Sequence, residues 1–174
     1  MTRSNNRHIG SRFGLFAAIG LVAFTAALYF GGLDIYLSGY AYFGYAIPIG
    51  LAAVAALVQR KANGGWLAFQ PALKTAFTVL VLALAAQTLF SWVLFNLIDP
   101  HFRDAVARET ALRTERFLRA REMPAADLQK YMEDLRNSHP YTFGSMILGL
   151  CISCIVQFIV ALLIAAVVKK KKDE

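Results

Sequence analysis

The sequence predicts an all-α protein: four transmembrane helices in a bundle, with an extramembrane helical hairpin between spans three and four. Three observations carry that expectation. Four long runs, 13–33, 35–59, 75–98 and 141–168, contain no charged residue, and each exceeds the roughly 20 apolar residues that cross a hydrocarbon core about 30 Å thick. The basic residues gather at alternate ends of those runs. Between the third and fourth runs lies the one sizeable polar segment, and it carries helix-period apolar repeats. Spans are expected over about 11–32, 38–59, 71–98 and 141–168, the hairpin over about 100–138, and the 174 residues form one integral membrane domain.

Charge sets the expected orientation. Of 18 Lys and Arg, ten lie at Arg3, Arg7 and Arg12, at Arg60, Lys61 and Lys74, and at Lys169 to Lys172, opposed there only by Asp173 and Glu174. The other two connections hold eight basic and nine acidic residues. Positive-inside logic places both termini in the cytoplasm and the connection between spans three and four outside. The net charge of +7 then needs no nucleic acid to explain it. The first run follows a basic start, as a secretory signal does, but its 21 residues exceed the usual 7–15 of such a segment and no clear cleavage site follows, so a retained span is expected. The closing Lys171, Lys172, Asp173 and Glu174 match a dilysine retrieval signal, which positive-inside anchoring explains more simply.

Span one opens near Gly10 and Gly14, a small-xxx-small pair that can admit a second helix closely. Gly31, Gly32, Asp34, Ser38 and Gly39 break it into a short turn among Tyr29, Phe30, Tyr36, Tyr40, Tyr42, Phe43 and Tyr45, an aromatic set suited to the headgroup level. Pro48 is expected to kink span two. Asn63-Gly64 signals a turn, and Trp66, Leu67, Phe69 and Leu73 lead into span three, with Pro71 near its start and Lys74 snorkelling. Arg60, Lys61, Lys74, Lys169 and Lys170 are the expected inner-leaflet basic contacts, which set orientation and can hold an anionic headgroup. In the polar segment Pro100 suits a first helical turn, and Phe102, Ala105, Val106, Leu112 and Phe117 share a face. Glu122-Met123-Pro124 interrupts the helix. Leu128, Tyr131, Met132 and Leu135 then repeat at i, i+3, i+4, i+7, the expected partner or lipid contact. Asn137 to Pro140 stop that helix.

Three segments resemble a group of small bacterial membrane proteins known only as a domain of unknown function: Asn63-Gly64-Gly65 with Phe69 and Ala72-Leu73-Lys74, then Phe95-Asn96-Leu97-Ile98-Asp99-Pro100, and the closing lysine run. The resemblance runs from the connection after span two to the C-terminus, with Pro71 departing from the commoner pattern and span one similar only in kind. It implies a multi-pass topology in the bacterial inner membrane, an envelope enzyme of the glycosyltransferase class as a partner, and no catalytic residue.

The chemistry otherwise legible is sparse. Cys151-x-x-Cys154 lies deep in span four, without the accessible, electropositive setting that thiolate chemistry needs, and reads as a pair of buried small hydrophobes. No span interior holds an ionisable acid, base or His, which argues against a proton-driven transporter. His8, His101 and His139 have no ligand spacing, so neither metal nor cofactor is expected. Gln87 and Gln157, counted from the charged ends of their spans, are expected at one depth and hydrogen-bonded to each other. The expected function is a noncatalytic accessory or scaffold protein acting through its external amphipathic hairpin, whose apolar face meets the bilayer, a second copy in a homo-oligomer, or an envelope enzyme. The alternatives are an oligomeric small-solute or lipid pore and, least favoured, a membrane thiol oxidoreductase.

Overall fold

The computed structural model describes residues 7–137 and 141–170. Arg3, the Ser138-His139-Pro140 stretch and Lys171 to Glu174 lie outside the described residues. All elements described are helical, apart from one isolated bridge. Four stretches are long and apolar enough to cross a membrane, His8–Phe30, Gly39–Ala62, Phe69–Ile98 and Phe143–Val168, and they mark the chain as a membrane protein.

Helix α1 (Arg7–Phe30) ends at Gly31 and Gly32, where φ of +87° at Gly32 requires a residue without a Cβ. A single turn, α2 (Leu33–Tyr36), follows, and then a 3₁₀ segment (Gly39–Tyr45) capped by the Ser38 hydroxyl, which accepts from the Tyr40 N–H. Helix α3 (Ala46–Ala62) begins only there. Pro48 therefore lies in the first turn of α3, where a missing N–H costs nothing, instead of kinking a continuous span. Asn63, Gly64 and Gly65 close α3, both glycines at positive φ, and the Gly65 N–H donates back to the Arg60 carbonyl at 3.0 Å.

Helix α4 (Phe69–Val93) starts ahead of Lys74, with Pro71 in its first turn. It widens into a π-helical turn (Leu94–Ile98) that the sequence pattern did not announce, closed by the Asp99 N–H on the Leu94 carbonyl at 2.8 Å. Helix α5 (Pro100–Ala120) follows, Pro100 at its first position. Arg121 to Pro124 separate it from α6 (Ala125–Asn137), and Thr142 caps α7 (Phe143–Val168).

The long helices alternate in direction. Gly10 meets Thr75 and Thr78 of α4 while Gly14 meets Val79 and Leu82, so α1 and α4 run parallel. Gly20 meets Ile47 and Gly44 meets Phe24, so α1 and α3 run antiparallel. Ring contacts Phe77–Phe158 and Trp92–Phe143 make α4 and α7 antiparallel. Helix α4 packs on α1, α3 and α7, and α3 touches α1 and α7 in turn. The core between them is built from Ala17, Ala52, Ala55, Ala76, Ala83 and Ala161 around Leu21, Val79 and Leu80. Lipid is as apolar as leucine, so association in a bilayer depends on close contact, and small side chains permit it.

Candidate functional site

Beyond the spans, α5 is fixed at several points. The Asp99 carboxylate caps it, accepting from the Phe102 N–H at 2.9 Å through Oδ1 and from the Tyr29 hydroxyl at 3.0 Å through Oδ2. Those two donors, the backbone one foremost, hold the Asp99 carboxyl below its ordinary value. The Phe102 ring packs edge-on against Tyr29 at 4.9 Å and Tyr36 at 5.3 Å, and Phe95 packs edge-on against Tyr141 at 4.9 Å. Burial, reinforced by Tyr141 and partly opposed by a hydrogen bond with Ser91, pushes the Tyr36 hydroxyl up to about 12, so it stays neutral. Tyr29 and Tyr36 thus belong to a packed cluster, whereas Tyr40, Tyr42, Phe43 and Tyr45 are exposed as a headgroup belt requires.

Asn96 explains how the π-helical turn is tolerated. Its side-chain amide donates to the Trp92 carbonyl at 3.0 Å and to the Tyr141 carbonyl at 3.1 Å, tying the end of α4 to the start of α7. Farther along α5, Arg113 Nη1 donates to the Leu37 carbonyl at 2.7 Å while its Nε pairs with Glu109. Helix α5 is therefore seated on both α2 and the end of α4. None of these attachments was anticipated from sequence.

Among the described residues, helix α6 packs on α5 and on no other element. Its four apolar residues divide between two settings. Leu128 is 9 % exposed and, with Met132, lines a groove shared with Glu115 and Arg119 of α5. Tyr131 faces outward and Leu135 is half-buried. Leu128 is thus already covered by the chain itself, because the face that repeats at i, i+3, i+4, i+7 is wide enough to be partly spent on α5. Leu112 and Phe117 remain exposed on α5.

The paired amides require a correction. Gln87 Nε2 donates to Ser91 Oγ at 3.4 Å, and the side-chain oxygens of both Gln87 and Gln157 are buried without a partner among the described residues, so the two residues do not bond each other. The ring contacts between α4 and α7 set Gln157 level with the Phe77–Thr78 region, about nine residues or roughly 14 Å from Gln87. Counting from Lys74 misplaced the helix start, since α4 begins at Phe69. Gln87 instead lines a cavity of about 330 Å³ with Leu21, Thr25 and Tyr36.

At the opposite end, Arg60, Lys169 and Lys170 take differing structural roles. Leu67 and Lys170 form a two-bond antiparallel bridge, 3.0 Å each way, that buries Leu67. Arg60 Nη1 donates to the Val168 carbonyl at 3.3 Å, and Lys169 stands 5.9 Å from the centre of the Phe69 ring. These contacts tie the end of α7 to the connection after α3. Lys61 and Lys74 are exposed. Cys151 and Cys154 are free thiols; against the expectation of two buried small hydrophobes, Cys151 lies on the outside of α7 and Cys154 is half-buried. Among the described residues no group of three His, Cys, Asp or Glu is placed to hold a metal.

A family model described as a protein of unknown function, DUF4199, matches residues 12–170, span one included. No curated protein and no solved structure matches the chain.

Proposed function

Because the chain belongs to the DUF4199 family, whose function is unknown, its role is read from its own geometry, and we propose a noncatalytic accessory or scaffold protein of the bacterial inner membrane that acts through α5 and α6. In this reading the four spans form a bundle, the basic end with Arg60, Lys61, Lys169 and Lys170 faces the cytoplasm, and α5 and α6 form a hairpin outside. The observation that carries the reading is the seating of α5: a capping carboxylate, an aromatic cluster and Arg113 attach it to three elements. A helix so held presents its neighbour α6 in one orientation, which suits recognition of a protein more than a flexible tether does. The partner is another protein of the same membrane, either a second copy or an envelope-building enzyme of the glycosyltransferase class.

Replacing residues 125–137 by a short flexible linker tests this. All four spans are expected to insert, because among the described residues α6 contacts none of them, while a partner that co-purifies with the intact protein is lost. Retention of that partner by the shortened chain overturns the reading.

A further inference from the structure

The most specific unassigned chemistry lies at the basic end, in an open cavity of about 840 Å³ among α1, α3 and α4. Gln59, Gln70, Lys74, Thr75 and Thr78 line it beside Gly10, and among the described residues no acidic one does. Gln59 is the informative member. It is 6 % exposed, in a helix that crosses the membrane, where an amide is costly unless its groups are bonded. Its oxygen accepts from Thr75 Oγ1 at 2.6 Å, which fastens the amide to α4. Among the described residues its Nε2 has no acceptor.

Gln70 brings a second amide, and Lys74 brings a cation that makes no ion pair among the described residues. The neighbouring cations are engaged elsewhere: Arg60 on the Val168 carbonyl and Lys169 over Phe69. Lys74 lies five residues into α4, about 8 Å from its start, and Trp66 and Phe69 are exposed beside that start, which sets the cavity near headgroup depth. Amide donors around one lysine, with no carboxylate among the described residues to compete, complement a group rich in acceptor oxygens and negative charge.

We propose that this cavity binds a phosphate group, through Lys74, the Gln59 Nε2 and Gln70. The group is a phospholipid headgroup of the adjoining leaflet or free phosphate. The proposal is independent of the role assigned to α5 and α6.

Native mass spectrometry of the full chain tests it, with dihexanoylphosphatidylglycerol, inorganic phosphate and the phosphate-free dihexanoylglycerol as probes. Adducts are expected with a phosphate-bearing probe and not with dihexanoylglycerol. Lys74→Met and Gln59→Glu are each expected to weaken them about tenfold, and Lys61→Met, which removes the same charge outside the cavity, by less than about twofold. Gln59→Glu keeps an acceptor for Thr75 and removes the donor. Lys74 is exposed, so its variant tests the site even if Gln59→Glu misfolds. Competition by inorganic phosphate upholds a free-phosphate site, and adducts with the lipid alone uphold a headgroup site. Equal loss in Lys61→Met and Lys74→Met, equal binding of dihexanoylglycerol, or no phosphate adduct overturns the proposal.

Discussion

Replacing Gly14 by leucine is expected to lower the thermal midpoint of the detergent-solubilised protein by roughly 2–12 °C, the counterpart of about 1–3 kcal/mol of overpacking. A Cβ added at Gly14 already lies 2.7 Å from Leu82 Cδ1, 3.1 Å from Leu82 Cβ and 3.4 Å from the Val79 backbone. Rotation of Leu82 relieves the first contact, but a longer side chain meets Val79 and forces α1 away from α4. Gly10 is the internal control. A Cβ there meets Thr78 and Thr75 at 3.4–3.5 Å, ordinary contact distances, so Gly10→Ala keeps the packing and gains the ~0.5–1 kcal/mol by which alanine exceeds glycine inside a helix. Gly14→Ala sets that gain against the movement of Leu82 and is expected to be less stable than Gly10→Ala. Thermal unfolding followed by tryptophan fluorescence ranks all three.

Asp99→Ala is expected to unseat α5, because one carboxylate supplies both the helix cap and the acceptor for Tyr29. Tyr29→Phe removes only the second bond, so its effect is smaller, and the two substitutions together cost less than their sum. The readout is the distance between spin labels on α3 and α5, broadened in Asp99→Ala and nearly unchanged in Tyr29→Phe. Acid acts on the same group. The folded-state value of Asp99 is lowered from the ordinary 3.8, so its contribution is complete above that pH and is lost as pH falls through the lowered value. The parent protein should hold its spin-label distance down to about pH 4 and lose it in stronger acid, while Asp99→Ala shows the broadened distance throughout.

How far the sequence could be read differs from residue to residue. The spans were legible because charge is excluded from the bilayer interior, and Gly14 because a small residue spaced four from another marks a close approach. Asp99-Pro100 and the pattern after Pro124 announced two helices for the same local reasons. Register was not legible. Lys74 resembles the end of a span, yet its long stem lets the helix begin at Phe69, and that displacement accounts for most of the misplacement of Gln87 against Gln157. Leu128 could not be assigned to a partner or to α5 from periodicity, since a repeat defines a face but not what covers it. The Leu67–Lys170 bridge involves one residue on each side and leaves no alternating pattern. The cavity around Gln59 joins residues from three helices, and the only local sign of it was an amide in an otherwise apolar span.

The central claim is that the outward side of α6 meets a protein. A photoreactive side chain placed at Tyr131 in native membranes, with Leu128 as the covered control, tests it most directly. A discrete protein adduct from Tyr131, with none from Leu128, is the predicted result. Lipid adducts alone from Tyr131 would contradict it, because they would place α6 on the bilayer surface.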